Sequence, residues 1–227
     1  VKHPYCVIKR QKWLDVCRNQ LENEKLTVFE NDVIEKDDKL FFENKKIKGD
    51  LIFDSRPPKL SRNVLLQHFE GFVVTSNKDV FDKELVTLMD FRCDQSKGMH
   101  FIYLLPFSKR KALVESTMFS KTVENEEFYS TEISKYLKKY FNLIEFTKSD
   151  HEKGIIPMHY ISNVSKESYN IGTRGGAVRP SSGYAFTFIQ KQAFQIISQI
   201  KNRKKINTKV HTNLDLFLDK IFINVIN

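Results

Sequence analysis

Apolar and polar positions change their period several times along the chain. Residues 9–22, KRQKWLDVCRNQLE, set Trp13, Leu14, Cys17 and Leu21 at helical spacing with charges between them, which predicts an amphipathic helix. KLFFEN and KIKGDLIFDS then alternate or run apolar, with breaks at Asn44 and Gly49, so short strands are expected. Pro57 and Pro58 rule out a helix across the next junction, because proline removes a backbone donor and restricts the residue before it. From 64 to 120 the pattern is strand-like: VLLQHFEGFVVTS, LVTLMDFR, MHFIYLLPFS and KALVESTMFS, the last two joined through KRK as an antiparallel hairpin. Residues 128–142 return to the helical period and align Tyr129, Ile133, Tyr136, Leu137 and Tyr140, a stripe that reads as core. EKGIIPM, with Glu152, Gly154, Pro157 and Met158, reads as a turn into a strand. A helix starting at about Tyr184 carries Ile189, Phe194, Ile196, Ile197 and Ile200, and another, LDLFLDKIFINVI, follows near the end. With no repeats or low-complexity linkers, the mixture predicts one α/β or α+β unit.

Composition narrows the class. A chain of 227 residues, 41% hydrophobic and 29% charged, can bury a sizeable core and is not expected to be disordered. It has no apolar run long enough for a transmembrane helix and no signal-peptide pattern at its start. It opens on Val rather than Met, which leads to the expectation of a portion of a longer chain. Cys6, Cys17 and Cys93 are scattered and are expected to be reduced thiols; the six histidines lack ligand spacing, so no metal site is expected. There is no GxSxG for a serine hydrolase. The net charge of +9 fits nucleic acid, anionic lipid or plain solvation. The lysines are spread along the chain, the one dense cluster is KNRKK at 201–205, and no nucleic-acid-reading motif accompanies it. Nucleic acid is therefore not an expected partner.

Three stretches could carry chemistry. IGTRGGAVRPSSGYAF, residues 171–186, holds Gly172, Gly175, Gly176 and Gly183 around Pro180, Ser181 and Ser182, directly before the amphipathic helix. Glycines allow close backbone approach, and a helix N-terminus offers N–H groups to an anion or an electron-rich ring. A tight turn before a packed helix is the plainer reading, and GxGxxG with a downstream acid is absent. LIFDSRPP is an apolar strand ending in Asp54, Ser55 and Arg56, which project into a cleft or close a salt-bridged turn. Glu115 interrupts an apolar strand, and Asp90 is similarly placed beside Arg92. Burial raises a carboxyl pKa and makes a proton donor; the alternative is a carboxylate paired with Arg92 or facing solvent.

Taken in order, FDSRPP, LLQHFEGFVV, LMDFR, FIYLLPFS, ALVESTMFS, EKGIIPM and IGTRGGAVRPSSGYAF resemble the motif succession of the lycopene β-cyclase family, particularly its bacterial members, over about residues 4–200. The resemblance implies an FAD-dependent fold of the aromatic-hydroxylase and geranylgeranyl-reductase group, with an antiparallel substrate-binding sheet. Over 1–227 it implies one cyclase-like domain incomplete at its N-terminus, lacking the glycine-rich βαβ unit that holds the ADP half of FAD. On this reading such a portion binds FAD poorly. The sheet is expected over 64–160 and the FAD-contacting loop and helix over 171–200. Gly172, Gly175, Gly176, Pro180, Ser181 and Gly183 would face the flavin, and Asp54, Ser55 and Arg56 form a second cofactor-side motif.

The implied activity closes the ψ-ends of lycopene to β-rings without net redox change, using reduced FAD with NAD(P)H as reductant. Glu115 matches the family's acid–base residue, with Asp90 as a further catalytic candidate. Plant members carry a second acid after that glutamate, where this chain has Ser116. Lycopene dissolves in the bilayer, so the resemblance also implies a cytoplasmic protein peripheral to the inner membrane. The competing readings are a flavin-dependent isoprenoid reductase and a basic binding domain without catalysis.

Overall fold

A computed structural model describes residues 7–21, 26–58, 63–161, 165 and 167–226. The chain divides into two compact units, one running to Asp50 and the other starting at Leu51. The first holds helix α1 (Arg10–Leu21), which buries none of its residues, and a small antiparallel meander of β1 (Val33–Lys36), β2 (Lys39–Phe42) and β3 (Lys45–Lys46). Both turns of the meander place two residues at positive φ, Asp37 with Asp38 and Glu43 with Asn44. Such paired left-handed residues match the right-handed twist of the flanking strands. Cys17 and Cys93 are free thiols, and Cys6 lies outside the described residues.

The second unit begins with β4 (Phe53–Asp54) and is built on a five-stranded antiparallel sheet. Its strands are β5 (Leu66–Thr75), β6 (Thr87–Asp90), β7 (Met99–Pro106), β8 (Lys111–Ser120) and β9 (Thr147–Pro157), in the spatial order β6-β7-β8-β5-β9. Between β8 and β9 lies helix α2 (Glu126–Phe141). Asn125 starts it by accepting a hydrogen bond from the Phe128 N–H, Glu126 and Glu127 occupy the first turn, and Asn142 in the left-handed region ends it. A cap of this kind contributes roughly 1 kcal/mol. The stripe read from the sequence is its buried face: Ile133, Tyr136 and Leu137 pack on Val74, Ile102, Leu104, Ala112 and Val114 of the sheet. Each such aliphatic side chain stabilises the fold by about 1.5–3 kcal/mol on burial. The α2-covered face also holds His68, bonded to Tyr129 and Ser120, and His100, bonded to Ser116.

After β9 the chain makes β10 (Tyr169–Asn170), which pairs in parallel with β4, then the glycine-rich segment, α3 (Phe186–Lys201) and α4 (Asn213–Ile226). Three expectations differ in detail. The short strands expected over 46–55 shrink to Lys46 in β3 and to Phe53–Asp54, since residues 47–52 pair only at isolated points. Helix α3 starts two residues after Tyr184, whose carbonyl accepts from the Arg179 N–H and keeps it in the preceding turn. EKGIIPM contains no turn: β9 runs straight through it, from Thr147. As an edge strand β9 tolerates the charged run TKSDHEK, which masks its strand character in the sequence.

Candidate active site

Alternation along β8 sends Ala112, Val114, Ser116 and Met118 to the helix-covered side and Leu113, Glu115, Thr117 and Phe119 to the other. On that second face Glu115 is flanked in register by Tyr103 of β7 and Gly71 of β5, and Gly71 is flanked in turn by Glu152 of β9. Gly71 therefore sits between two glutamates. A Cβ there would lie 3.1 Å from the Glu115 Cβ, so the missing side chain is what leaves room. Across that gap the two carboxyl groups come within hydrogen-bonding reach of each other. The Thr117 hydroxyl also donates to Glu115 Oε1 at 2.7 Å.

Burial pushes the Glu115 carboxyl well above the ordinary carboxylate range, and the Glu152 charge adds to it, against the Thr117 hydrogen bond. Glu152 is raised as well, mainly by desolvation, while the bond from Glu115 and the nearby His151 oppose the rise. One proton shared by two close carboxyls is the expected outcome of that arrangement. Phe69, Phe101, Tyr103, Leu105, Leu113 and Val73 share the face, so the pair stands in apolar surroundings.

Asp90 is placed differently. It ends β6 on the α2 side, where the Arg92 guanidinium grips it at 2.6 and 2.9 Å and the Tyr136 hydroxyl donates at 2.6 Å. Those bonds outweigh burial and hold the carboxyl far below the usual range, so it stays ionised. Glu115 and Asp90 are thus on opposite faces of the sheet, and the structure does not bring them together.

The two glycine-side stretches do meet. Through the β4–β10 pair, the Ile171 N–H donates to the Asp54 carbonyl at the start of the glycine segment. The Asp54 carboxylate is held by Arg56 at 2.8 Å and Arg174 at 3.0 Å; burial would raise its pKa, but the Arg56 hydrogen bonds and then the two guanidinium charges bring it below the ordinary value. Ser55 is exposed. Gln192 of α3 then clamps the loop, accepting from the Gly172 N–H at 2.7 Å and donating to the Thr208 carbonyl at 2.7 Å. A side chain at Gly175 would collide with the Asn170 carbonyl, and one at Gly183 with the Gln67 side chain. Gly172, at φ +61, has open space where a Cβ would point. Gly176, at φ +70, lies against the Ile161 carbonyl. Each of the four glycines therefore answers to the chain itself, Gly175 by a close backbone neighbour and Gly172, Gly176 and Gly183 by left-handed φ.

Farther along the segment, Arg179 pairs with Asp215 at 2.8 Å and Asp219 at 2.7 Å, and Ser181 donates to Asp219, which latches α4 to the loop. Pro180 is buried beside a cleft of about 370 Å³ that Met158, Leu216 and Ile223 also line. Gly183 also approaches Ile156, which with Gln67 belongs to the Glu115 face. Gln67 and Gly71 are four residues apart on β5, about 13 Å at the rise of a strand. The glycine loop and the glutamate pair thus share one face of one sheet.

Glu152 as a partner of Glu115, Gly71 as the spacer, and the clamps Arg174 and Gln192 were not singled out as site residues from the sequence. The available signal was Gly71 itself, a lone glycine inside the strand pattern HFEGFVV, which marks close approach of a neighbour.

The sheet with one helix-covered face, joined to a glycine loop and its helix, is a fold known from other proteins. It is similar to the geranylgeranyl bacteriochlorophyll reductase-like protein of Thermoplasma acidophilum, at 11% identity and TM-score 0.50, covering 85% of this chain and 52% of that one. It is also similar to the flavin-dependent brominase Bmp2, at 12% identity and TM-score 0.51, covering 96% and 60%. The chain spans little more than half the length of these two structures. No curated protein matches it. The sequence matches the lycopene cyclase protein family over residues 2–216, and the chain belongs to that family.

Proposed function

We propose that this chain carries the acid–base face of a flavin-dependent lycopene β-cyclase and that Glu115 is the proton donor. The observation that carries the reading is a glutamate whose pKa burial raises, on an apolar face that it shares with the glycine loop. Protonating an unactivated alkene needs a positioned acid in a dry site, and a carboxyl loaded near neutral pH meets that need. In the proposed step the Glu115 carboxyl gives its proton to the terminal double bond of a ψ-end. The ring closes by carbon–carbon bond formation onto the resulting cation, and a ring proton returns to a carboxylate, so no electrons are gained or lost. Phe101, Tyr103, Leu105 and Leu113 exclude water from the cation. Asp90 takes no part, since its charge is spent on Arg92 and Tyr136.

The loop fits the ring end of a flavin. Gly172 leaves open space, Ala185 has no side chain to cap the first turn of α3, and the Gln67 Oε1 is a buried acceptor without a partner among the described residues, beside Gly183. Gly172, Gly176, Gly183 and the α3 N-terminus would hold the ring, with the Asp54–Arg56–Arg174 cluster and Ser55 behind them as the strut that sets the loop. Reduced FAD, replenished from NAD(P)H, would supply an electron-rich plane that favours positive charge next to it. Residues 1–227 alone are expected to be inactive, in keeping with the longer chains of the similar structures.

The substrate is proposed to arrive from a membrane surface to which the protein binds peripherally. No helix among the described residues is long and apolar enough to cross a bilayer. The support is α4, whose Leu214, Phe217, Leu218, Ile221 and Val225 form one exposed apolar stripe.

The test is the carotenoid chromatogram of a lycopene-accumulating host expressing the complete gene. Wild type should yield γ- or β-carotene at the mass of lycopene, and Glu115→Gln should lower that yield by a factor of about 100 or more. Products heavier by two hydrogens per double bond would instead establish an isoprenoid reductase, and unaltered lycopene would remove the substrate assignment.

A further inference from the structure

Resting on that reading of the site, we infer that Glu152 is the working partner of Glu115: the two form one proton-sharing pair across Gly71, with Glu115 toward the substrate and Glu152 as its connection to solvent. The register supplies the geometry. Gly71 pairs with Glu115 on one side and with Glu152 on the other, so the two side chains stand on one face with nothing projecting between them. The nearest atoms that a Cβ at Gly71 would meet all belong to Glu115, so the glycine makes room for that side chain. The carboxyls come within hydrogen-bonding reach of each other, and Glu152 is exposed where Glu115 is partly covered.

The other groups around the pair leave this role to Glu152. Tyr103 of β7 stands opposite Glu115, and Thr117 of β8 donates to it. His151 and Lys153, which flank Glu152 on β9, turn to the α2 side, where His151 meets Glu70 at 3.0 Å and Lys153 meets Glu126 at 2.6 Å. From α4, Ile223 and Ile226 reach the aromatic end of this face. A second acid therefore comes from a strand distant in sequence, although Ser116 follows Glu115 in β8.

Proton accounting gives each glutamate a task. The resting pair holds one proton, on Glu115. When that proton passes to the substrate alkene, two carboxylates face each other, and their repulsion makes Glu115 a stronger base for the ring proton that must leave. The pair then returns to its starting state. Between turnovers Glu152 exchanges the proton with water, so the buried acid does not need its own opening to solvent.

Two measurements on the flavin-loaded, full-length protein test this. Glu152→Gln keeps the size and the hydrogen bond but removes the charge, and Glu152→Asp keeps the charge. Infrared titration without substrate should show the protonated carboxyl of Glu115 ionising at lower pH in Glu152→Gln, by about one pH unit, with Glu152→Asp close to wild type. The alkaline limb of the cyclisation rate should move to lower pH by a similar amount. If both titration and rate profile of Glu152→Gln match wild type while wild type still cyclises lycopene, the pairing is overturned and the proposed function stands. If the titration shifts but wild type forms no cyclic product, the pair is real and the substrate assignment fails.

Discussion

Glu115 and Asp90 carry the same mark in the sequence, an acid inside an apolar strand, and the fold gives them opposite chemistry. Asp90 has Arg92 two residues on, within reach of both the backbone N–H and the guanidinium, and Tyr136 arrives from α2. Glu115 has a threonine and a second carboxylate. The consequence is measurable as stability. A carboxyl whose pKa is raised by folding binds its proton more tightly in the folded state, so its contribution is complete below the ordinary carboxylate range and is lost as pH rises through the raised value. Glu115→Gln removes that loss. Its melting temperature should therefore gain on wild type by a few degrees between acid and mildly alkaline pH, read by calorimetry across a pH series. A constant difference would show that Glu115 ionises at its ordinary value. The candidate donor was legible because one polar residue broke an apolar run. Its partner was not, because pairing of Glu152 with Glu115 depends on the register of β5 between them, and register is a property of the assembled sheet.

Helix α2 was legible from its apolar stripe over 128–142, and the structure starts it two residues earlier, at Glu126 behind the Asn125 cap. Strand β9 was not legible, because its charged first half reads as a loop until an edge position makes it acceptable. The glycine segment was legible as a place of close approach, yet the approach at Gly175 and Gly183 is by the chain's own Asn170 and Gln67. Helix α4 was legible as a helix, and the structure orients it with Asp215 and Asp219 toward Arg179 and the apolar stripe out. Exposed basic residues at Lys201, Arg203, Lys204, Lys205, Lys209 and Lys220 accompany it. Apolar area with basic residues near it suits an anionic bilayer. Phe217→Glu, at a position 59% exposed, should leave the melting temperature unchanged and reduce flotation with anionic vesicles several-fold. Flotation equal to wild type would remove α4 from the membrane contact.

For the molecule as a whole, the succession of motifs identified the family, and strands β5 to β9 form one sheet between residues 66 and 157. The division at Asp50 was legible only as the break at Gly49, which read as a gap between short strands and not as a boundary between units. What the fold accomplishes is juxtaposition: one sheet covers one face with α2 and offers the other to both the glycine loop and the glutamate pair. The central claim is that a solvent-exchangeable carboxyl proton on that face becomes a hydrogen of the product. Mass spectrometry of the carotene formed from lycopene in deuterated water by the flavin-loaded protein tests it most directly. The account predicts one deuterium for each ring closed. Cyclic product without deuterium would contradict it.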